Sequence, residues 1–334
     1  MNEMTWEIKC EDFENVTLNI GQYTSIYNEH DTKEEDILKV IHHYFQKRNF
    51  NKNEVIIYDT QNQETVSHAS YQCWTLNHEI IEKEHALATN AILTKKILRK
   101  LGNHLEMESY FNSINALHED VLATVQEELP LCVKRFDYKA FLKLLEFQYE
   151  VCEDYDRLIV RLEKLLPLLI EEMNALSNQR TLLIYQYPEA NLSPKEQQRF
   201  RKCLENLGVP IIVLTGSTHF LSSKLTNNNY LRKGQQMLTK AFLHHLVWNA
   251  PLNFDENQIK HSLNAFIQLY QEKVELTPVI SNYRLADIML FDTIDLYVGI
   301  TYMKHINQSY QLDINYHQLN DPMIKFIQSY DKTS

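Results

Sequence analysis

Residues 180–214 read RTLLIYQYPEANLSPKEQQRFRKCLENLGVPIIVL, and this stretch decides the fold class. Thr181 to Tyr185 is a near-continuous apolar run bounded by polar residues, the pattern of a strand buried on both faces. Ser193-Pro194-Lys195-Glu196 reads as a capping box, with Ser193 as cap, Pro194 in the first helical position and Glu196 folding back. Phe200, Cys203, Leu204 and Leu207 give that helix an apolar stripe, and Gly208 ends it. Val209 to Leu214 forms a second buried strand, with Pro210 near its start, where a missing N–H is tolerated. Two strands joined by one helix make a crossover, so the strands are expected to be parallel and the connection right-handed. A parallel sheet needs cover on both faces, which the rest of the chain must supply.

Composition narrows the class. A chain of 334 residues can bury a full core and carry two domains or one large decorated one. It has only 6 glycines, which favours long helices over many tight turns. The 5 cysteines are scattered, and no CxxC occurs, so neither a disulfide framework nor a zinc knuckle is expected; a reducing cytoplasm is. No leader-like segment opens the sequence, and no run of 18 apolar residues could span a bilayer. The net charge of −11 argues against non-specific nucleic-acid binding over the whole surface, though not against a segregated basic patch.

Toward the N-terminus, Val16, Leu18 and Ile20 alternate, Gly21 turns, and Tyr23 to Tyr27 continues as strand, a hairpin or bent pair. A polar loop and a helix marked by Ile37, Val40, Ile41, Tyr44 and Phe45 follow, then a short strand at Val55 to Tyr58. Strand, loop, helix, strand is the layout of a phosphate-binding loop, but its residues are missing. The motif needs glycines where backbone approaches phosphate and a Lys on the β/γ oxygens. Here the loop reads NEHDTKEED, without glycine and rich in acid. The central strand should end in a magnesium-holding Asp and instead ends Tyr185-Gln186-Tyr187. No bound nucleotide and no catalysis are expected.

From about Glu79 to Leu176 the pattern is almost all helix. Met107, Phe111, Ile114, Leu117, Val121 and Val125 recur at helical spacing. From Phe141 to Leu176 apolar residues alternate steps of four and three, a heptad seam with one polar member, Gln148. As one 36-residue helix this would reach roughly 54 Å at 1.5 Å per residue, with Pro167 kinking it. The apolar stripe is read as packing rather than a cofactor site. Inserted between two strand regions, the helices would form an arm. The arm carries the clearest basic clusters. Lys95, Lys96, Arg99 and Lys100 share a broad helix face, with no acid between Leu87 and His104; Lys134, Arg135, Lys139 and Lys143 form a second run. Such lysines suit phosphate tracking, although cations before Gly102 also complement a helix dipole.

Other site types are weak. The pairs His42-His43 and His244-His245 do not share a helix face, and no H-E-x-x-H occurs. Asp137-Tyr138-Lys139 loosely matches the acidic-x-Lys of nucleases but lies at a helix start. After Gly216 the pattern is helical again. One amphipathic helix is marked by Ile259, Leu263, Phe266, Ile267 and Tyr270 with Asp255 as cap; another runs from Leu285 to Ile306, with Asp287, Asp292 and Asp295 on a polar face or at a subunit contact.

Four stretches then resemble one family in pattern and order: VTLNIGQYTSIYNEHDTKEEDILKVIHHYF (16–45), AILTKKILRKLGNHLEMESYFNSINALHEDV (91–121), RTLLIYQYPEANLSPKEQQRFRKCL (180–204) and YRLADIMLFDTIDLYVGI (283–300). They are similar to the long form of the Csn-two family, accessory proteins of type II-A CRISPR adaptation. The resemblance implies an α/β head, a degenerate relative of P-loop hydrolases, with a helical leg. It further implies a homotetrameric ring encircling double-stranded DNA, calcium binding, and work with the integrase proteins and the effector nuclease during spacer acquisition. It implies no enzyme activity. Lys95 to Lys100 match the family's lysine contacts by position in the arm. Calcium ligands do not transfer, because Glu127 and Glu128 are followed by Pro130 rather than an acidic run. The expected organisation is α/β head over 1–77 and 178–250, helical arm over 78–177 and a helical C-terminal region over 251–334. The function expected is non-catalytic binding of linear duplex. A nucleotide hydrolase or nuclease with a degenerate site, and a helical scaffold without nucleic acid, are the alternatives.

Overall fold

The computed structural model describes residues 4–10, 13–27, 33–46, 55–88, 90–124, 132, 134–144, 157–232, 235–274 and 277–331. The chain divides into two units, Met1–Asn77 with Gln179–Ser334, and His78–Asn178. The first part of the larger unit, the head, runs β1 (Met4–Cys10), β2 (Phe13–Ile20), β3 (Tyr23–Tyr27), α1 (Lys33–Tyr44), β4 (Val55–Asp59), β5 (Glu64–Thr65) and β6 (Tyr71–Leu76). The arm holds α2 (His78–His85), α3 (Ile92–Gly102), α4 (Met107–Ala123), α5 (Tyr138–Leu144) and α6 (Leu158–Ala175). The head resumes with β7 (Arg180–Gln186), α7 (Pro194–Glu205), β8 (Ile211–Thr215), β9 (Asn228–Arg232), β10 (Gln235–Gln236) and α8 (Lys240–Trp248). It closes with α9 (Glu256–Val274), β11 (Val279–Ser281), β12 (Ile288–Met289), α10 (Thr293–His305), β13 (Gln311–Asp313) and α11 (Asp321–Asp331).

The central sheet has the order β10-β9-β3-β8-β7-β6, with β9, β3, β8, β7 and β6 all parallel. The crossover read from 180–214 is its middle: β7 pairs β8 with Leu183 opposite Ile211. Alternate β7 side chains serve the two faces, as a pleated strand requires. Leu182 and Ile184 join the cluster of Ile37, Leu38 and Ile41 from α1. Tyr185 meets the Phe200 ring of α7 edge-on at 5.3 Å. Both halves of the Ser193–Glu196 capping box form, and Gly208 takes φ +74°, where a side chain would be strained.

Sequence pattern and structure part company at three places in the head. Val16–Ile20 and Tyr23–Tyr27 are not a hairpin: β2 pairs β1 (Leu18 opposite Trp6) in an antiparallel sheet ordered β2-β1-β4-β5, whereas β3 lies between β8 and β9. The physical reason lies in burial. Val16, Leu18 and Ile20 alternate with less buried residues, but β3 is buried at every position, as a central parallel strand must be. Gly21 marks the passage between sheets, since a Cβ there would lie 2.4 Å from Asn227. Val55–Tyr58 likewise belongs to the antiparallel sheet, with Ile57 opposite Ile8. The strand after α1 is therefore not the neighbour of β3 that a phosphate-loop layout would supply.

The third difference is the region after Gly216, which is not purely helical. β9 and β10 extend the central sheet, and β12-β11-β13 form a small parallel sheet. The helix expected over 285–306 begins only at Thr293, after Asp292 with extended backbone. Asp287 instead accepts the Val279 N–H at 3.0 Å, and Asp295 takes the Ser262 hydroxyl. The amphipathic helix through Ile259, Leu263, Phe266 and Ile267 forms as α9 and packs with α10 in the C-terminal core.

In the arm, Ile159, Leu162, Leu166, Leu169 and Met173 of the heptad seam are buried on α6, and Pro167 lies inside that helix. Arg157 has extended backbone (φ −85°, ψ 128°), so the seam is not carried by one continuous helix. Leu145, Gln148, Cys152 and Tyr155 lie outside the described residues. Glu84 accepts the Ile92 and Leu93 N–H groups at 2.8 and 2.9 Å, capping α3 from the preceding helix.

Candidate nucleic-acid interface

In an open parallel sheet, ligands bind beyond the carboxyl ends of the strands where connections diverge. Here that switch point is β3, flanked by β8 and β9. The groups that would hold a phosphate there are occupied by the chain's own acids. Glu189 accepts the Gly216 N–H at 2.7 Å and the Thr215 hydroxyl at 2.8 Å. Tyr187, held at φ +49°, donates its hydroxyl to Glu35. Glu34, Glu35 and Asp36 fill the first turn of α1, and Glu34 is buried. Carboxylates at a helix N-terminus complement its dipole and repel further anions. The acid missing from the end of the central strand is thus present three residues later, as Glu189, but it serves as an internal hydrogen-bond acceptor.

The basic clusters lie in the arm. Lys95 and Lys100 of α3 are exposed, with no ion-pair partner among the described residues. Lys96 is buried, its Nζ 2.6 Å from Glu171, and Arg99 pairs with the buried carboxylate of Glu172. The Lys96 hydrogen bond, reinforced by Lys100 and Arg99, holds the Glu171 carboxyl below its usual pKa. The absence of acid between Leu87 and His104 did not, therefore, leave four free cations, because α6 supplies two carboxylates from across the helix packing.

The second run is freer. Lys134, Arg135, Lys139 and Lys143 are all exposed. Arg135 donates to Asn112 at 3.3 Å, and Asn115 clasps the Phe136 backbone through N–H and C=O, at 2.6 and 3.0 Å. Phe111, Phe136 and Phe141 pack tilted or edge-on, with ring centres 5.6 to 6.4 Å apart, and fix this segment against α4. Asp137, the one acid in the run, caps α5 through the Ala140 N–H at 2.8 Å. Because α3 and α5 touch, the two clusters share one region of the arm. The exposed cations of that region are Lys95, Lys100, Lys134, Arg135, Lys139 and Lys143. Lysines spaced this way can follow a phosphate backbone without reading sequence.

Among the described residues no group of three or more His, Cys, Asp or Glu side chains is placed to hold a metal ion, and Glu127 and Glu128 lie outside them. No described helix is long and apolar enough to cross a membrane. Sequence reasoning missed Glu171 and Glu172 as partners of the first cluster. They lie more than 70 residues from Lys96 and Arg99, beyond any helical spacing rule.

No family model matches the chain, and no curated protein does. Among solved structures, the crystal structure of Stu0660 of Streptococcus thermophilus superposes with a TM-score of 0.63 at 14% identity, covering 98% of this chain and 99% of that one. The likeness runs the whole length and supports a Csn-two-like fold, an α/β head with helical regions; at that identity it speaks to fold alone.

Proposed function

We propose that this chain is a non-catalytic double-stranded-DNA-binding protein of CRISPR spacer acquisition, which assembles as a homotetrameric ring and takes linear duplex through its lumen. The observation that carries this reading is the set of exposed lysines on α3 and over 134–143, beside which Glu171 and Glu172 are paired with Lys96 and Arg99 and Asp137 caps α5. On a chain of net charge −11, a duplex must be held by such a local field. Lys95, Lys100, Lys134, Lys139 and Lys143 contact phosphates, while Lys96 and Arg99 hold α3 on α6. The whole-length fold likeness and the resemblance to the Csn-two family support the biological setting, with the integrase proteins and the effector nuclease as partners and calcium as a ligand by resemblance only. The acids at the switch point support a head without nucleotide turnover.

The test uses one duplex in two forms. Linear DNA should bind and covalently closed circular DNA of the same sequence should not, since a closed circle has no end to thread. Equal binding of both forms would refute the ring reading, and no binding of either at low salt would leave a scaffold.

A further inference from the structure

α7 carries a feature that neither the crossover nor the arm explains. Lys195, Arg199 and Lys202 recur at i, i+4 and i+7, so they line one exposed face of the helix. Both acids of α7 are engaged: Glu196 closes the capping box with Ser193, and Glu205 accepts from Arg201 Nε and Nη2 at 3.2 and 3.0 Å. Beside this face lies a groove of about 440 Å³ between α7, the turn at Thr218–Phe220 and α9. Its walls include Gln198, Arg201, Lys202, Thr218, His219 and Gln268. Nearly every polar group there can donate a hydrogen bond, and the one carboxylate, Glu205, is held by Arg201.

We propose that this groove is a phosphate-binding site, seating the oxyanions of a polyphosphate or of a nucleic-acid backbone. Arg201 uses one edge of its guanidinium on Glu205, which fixes the plane and leaves Nη1 for a ligand oxygen. Lys202 supplies a mobile charge at the rim, the amides of Gln198 and Gln268 and the Thr218 hydroxyl supply neutral donors, and Lys195 extends the field along the helix. The volume lies within the usual range for small-ligand clefts and exceeds what one phosphate needs, so two linked phosphates are the natural occupant. The polyphosphate form stands independently of the proposed DNA function; only the backbone form rests on it.

Two titrations of the full-length protein decide the matter, with inorganic pyrophosphate by calorimetry and with linear duplex across a salt series. Lys195→Gln/Lys202→Gln changes only exposed side chains, and Arg201→Gln is the companion variant. For a polyphosphate site, wild type binds pyrophosphate and each variant weakens it by about tenfold or more, since each loses a charged contact. For a backbone site, the double variant lowers the duplex salt slope by about 1.8 for each subunit that engages duplex, at 0.9 per phosphate. Lys95→Gln/Lys100→Gln serves as the control and should leave pyrophosphate binding unchanged even if duplex binding is lost or never occurs. Pyrophosphate binding and duplex slope both insensitive to Lys195→Gln/Lys202→Gln, in a protein of unchanged thermal midpoint, would overturn the proposal.

Discussion

The division of the α3 cluster into free and paired cations makes the sharpest prediction. Lys95 and Lys100 are exposed, so a phosphate can replace their counterions directly. Lys96 is already neutralised at 2.6 Å by Glu171, and a phosphate would have to displace that carboxylate to gain anything. Lys95→Gln/Lys100→Gln should therefore remove two phosphate contacts from each subunit that engages DNA. At about 0.9 per contact, the slope of log affinity against log salt flattens by about 1.8 for each subunit that engages DNA. Between 50 and 200 mM salt, the loss of affinity should then be smaller than for wild type by roughly twelvefold for each engaged subunit. Lys96→Gln should leave the slope where it was and act instead on the seating of α3 against α6, visible as a lower thermal midpoint. Fluorescence anisotropy on a labelled linear duplex over that salt range supplies the slopes, and sedimentation confirms that the assembly is intact. If Lys96→Gln flattened the slope as much as the double variant, or the double variant left it unchanged, the assignment of free and paired cations would be wrong.

Three further outcomes follow from the head. Glu189→Ala leaves the Gly216 N–H and Thr215 hydroxyl without their acceptor and should cost about 1–3 kcal/mol in urea unfolding, with added acetate restoring part of it in the variant alone; an unchanged midpoint would mean the contact is dispensable. Asn229 is fully buried and joins β2, β3 and β10 by accepting from Asn19 N–H (2.7 Å) and Gln236 Nε2 (2.5 Å) and donating to the Asn19 and Ser25 carbonyls (3.0 and 3.2 Å), so Asn229→Ala should cost about 2–4 kcal/mol. A loss under about 0.5 kcal/mol in the same assay would show that water replaces the amide. His305 stacks on Phe242 at 3.8 Å and bonds the Met237 carbonyl; burial is the main cause that lowers its pKa, with His245 adding to it. The unfolded chain then binds the proton more readily, so this contribution is complete above about pH 6.5 and is lost as pH falls through the lower folded value. His305→Gln should reduce the fall in thermal midpoint between pH 7.5 and 5.5, and an identical fall in both proteins would count against it.

What the sequence carries and what it does not separate along one physical line. The β7–α7–β8 crossover was legible because each of its signals is local: a capping box spans four residues, and a helix stripe repeats within a few. The seam on α6 was legible for the same reason, although its continuity was not, because Arg157 breaks the helix without a proline or glycine to announce it. β2 and β3 misled because two short strands around a glycine read as a hairpin whichever sheet each joins. Only the unbroken burial of β3, with Thr24 and Ser25 satisfied by Gly21 N–H and by Asn228, distinguishes them, and that depends on partners some 200 residues away for Ser25. The candidate interface shows the same limit in its electrostatics. Spacing along α3 grouped Lys95, Lys96, Arg99 and Lys100, but charge is neutralised in space, and the acids that pair with Lys96 and Arg99 sit on α6. A helix face with no acid of its own is therefore basic only on the side that no other helix covers. In α3 that side is Lys95 and Lys100. In α5, where Asp137 is spent on the cap, it is Lys139 and Lys143, and the function proposed here rests on that exposed set rather than on the count of lysines.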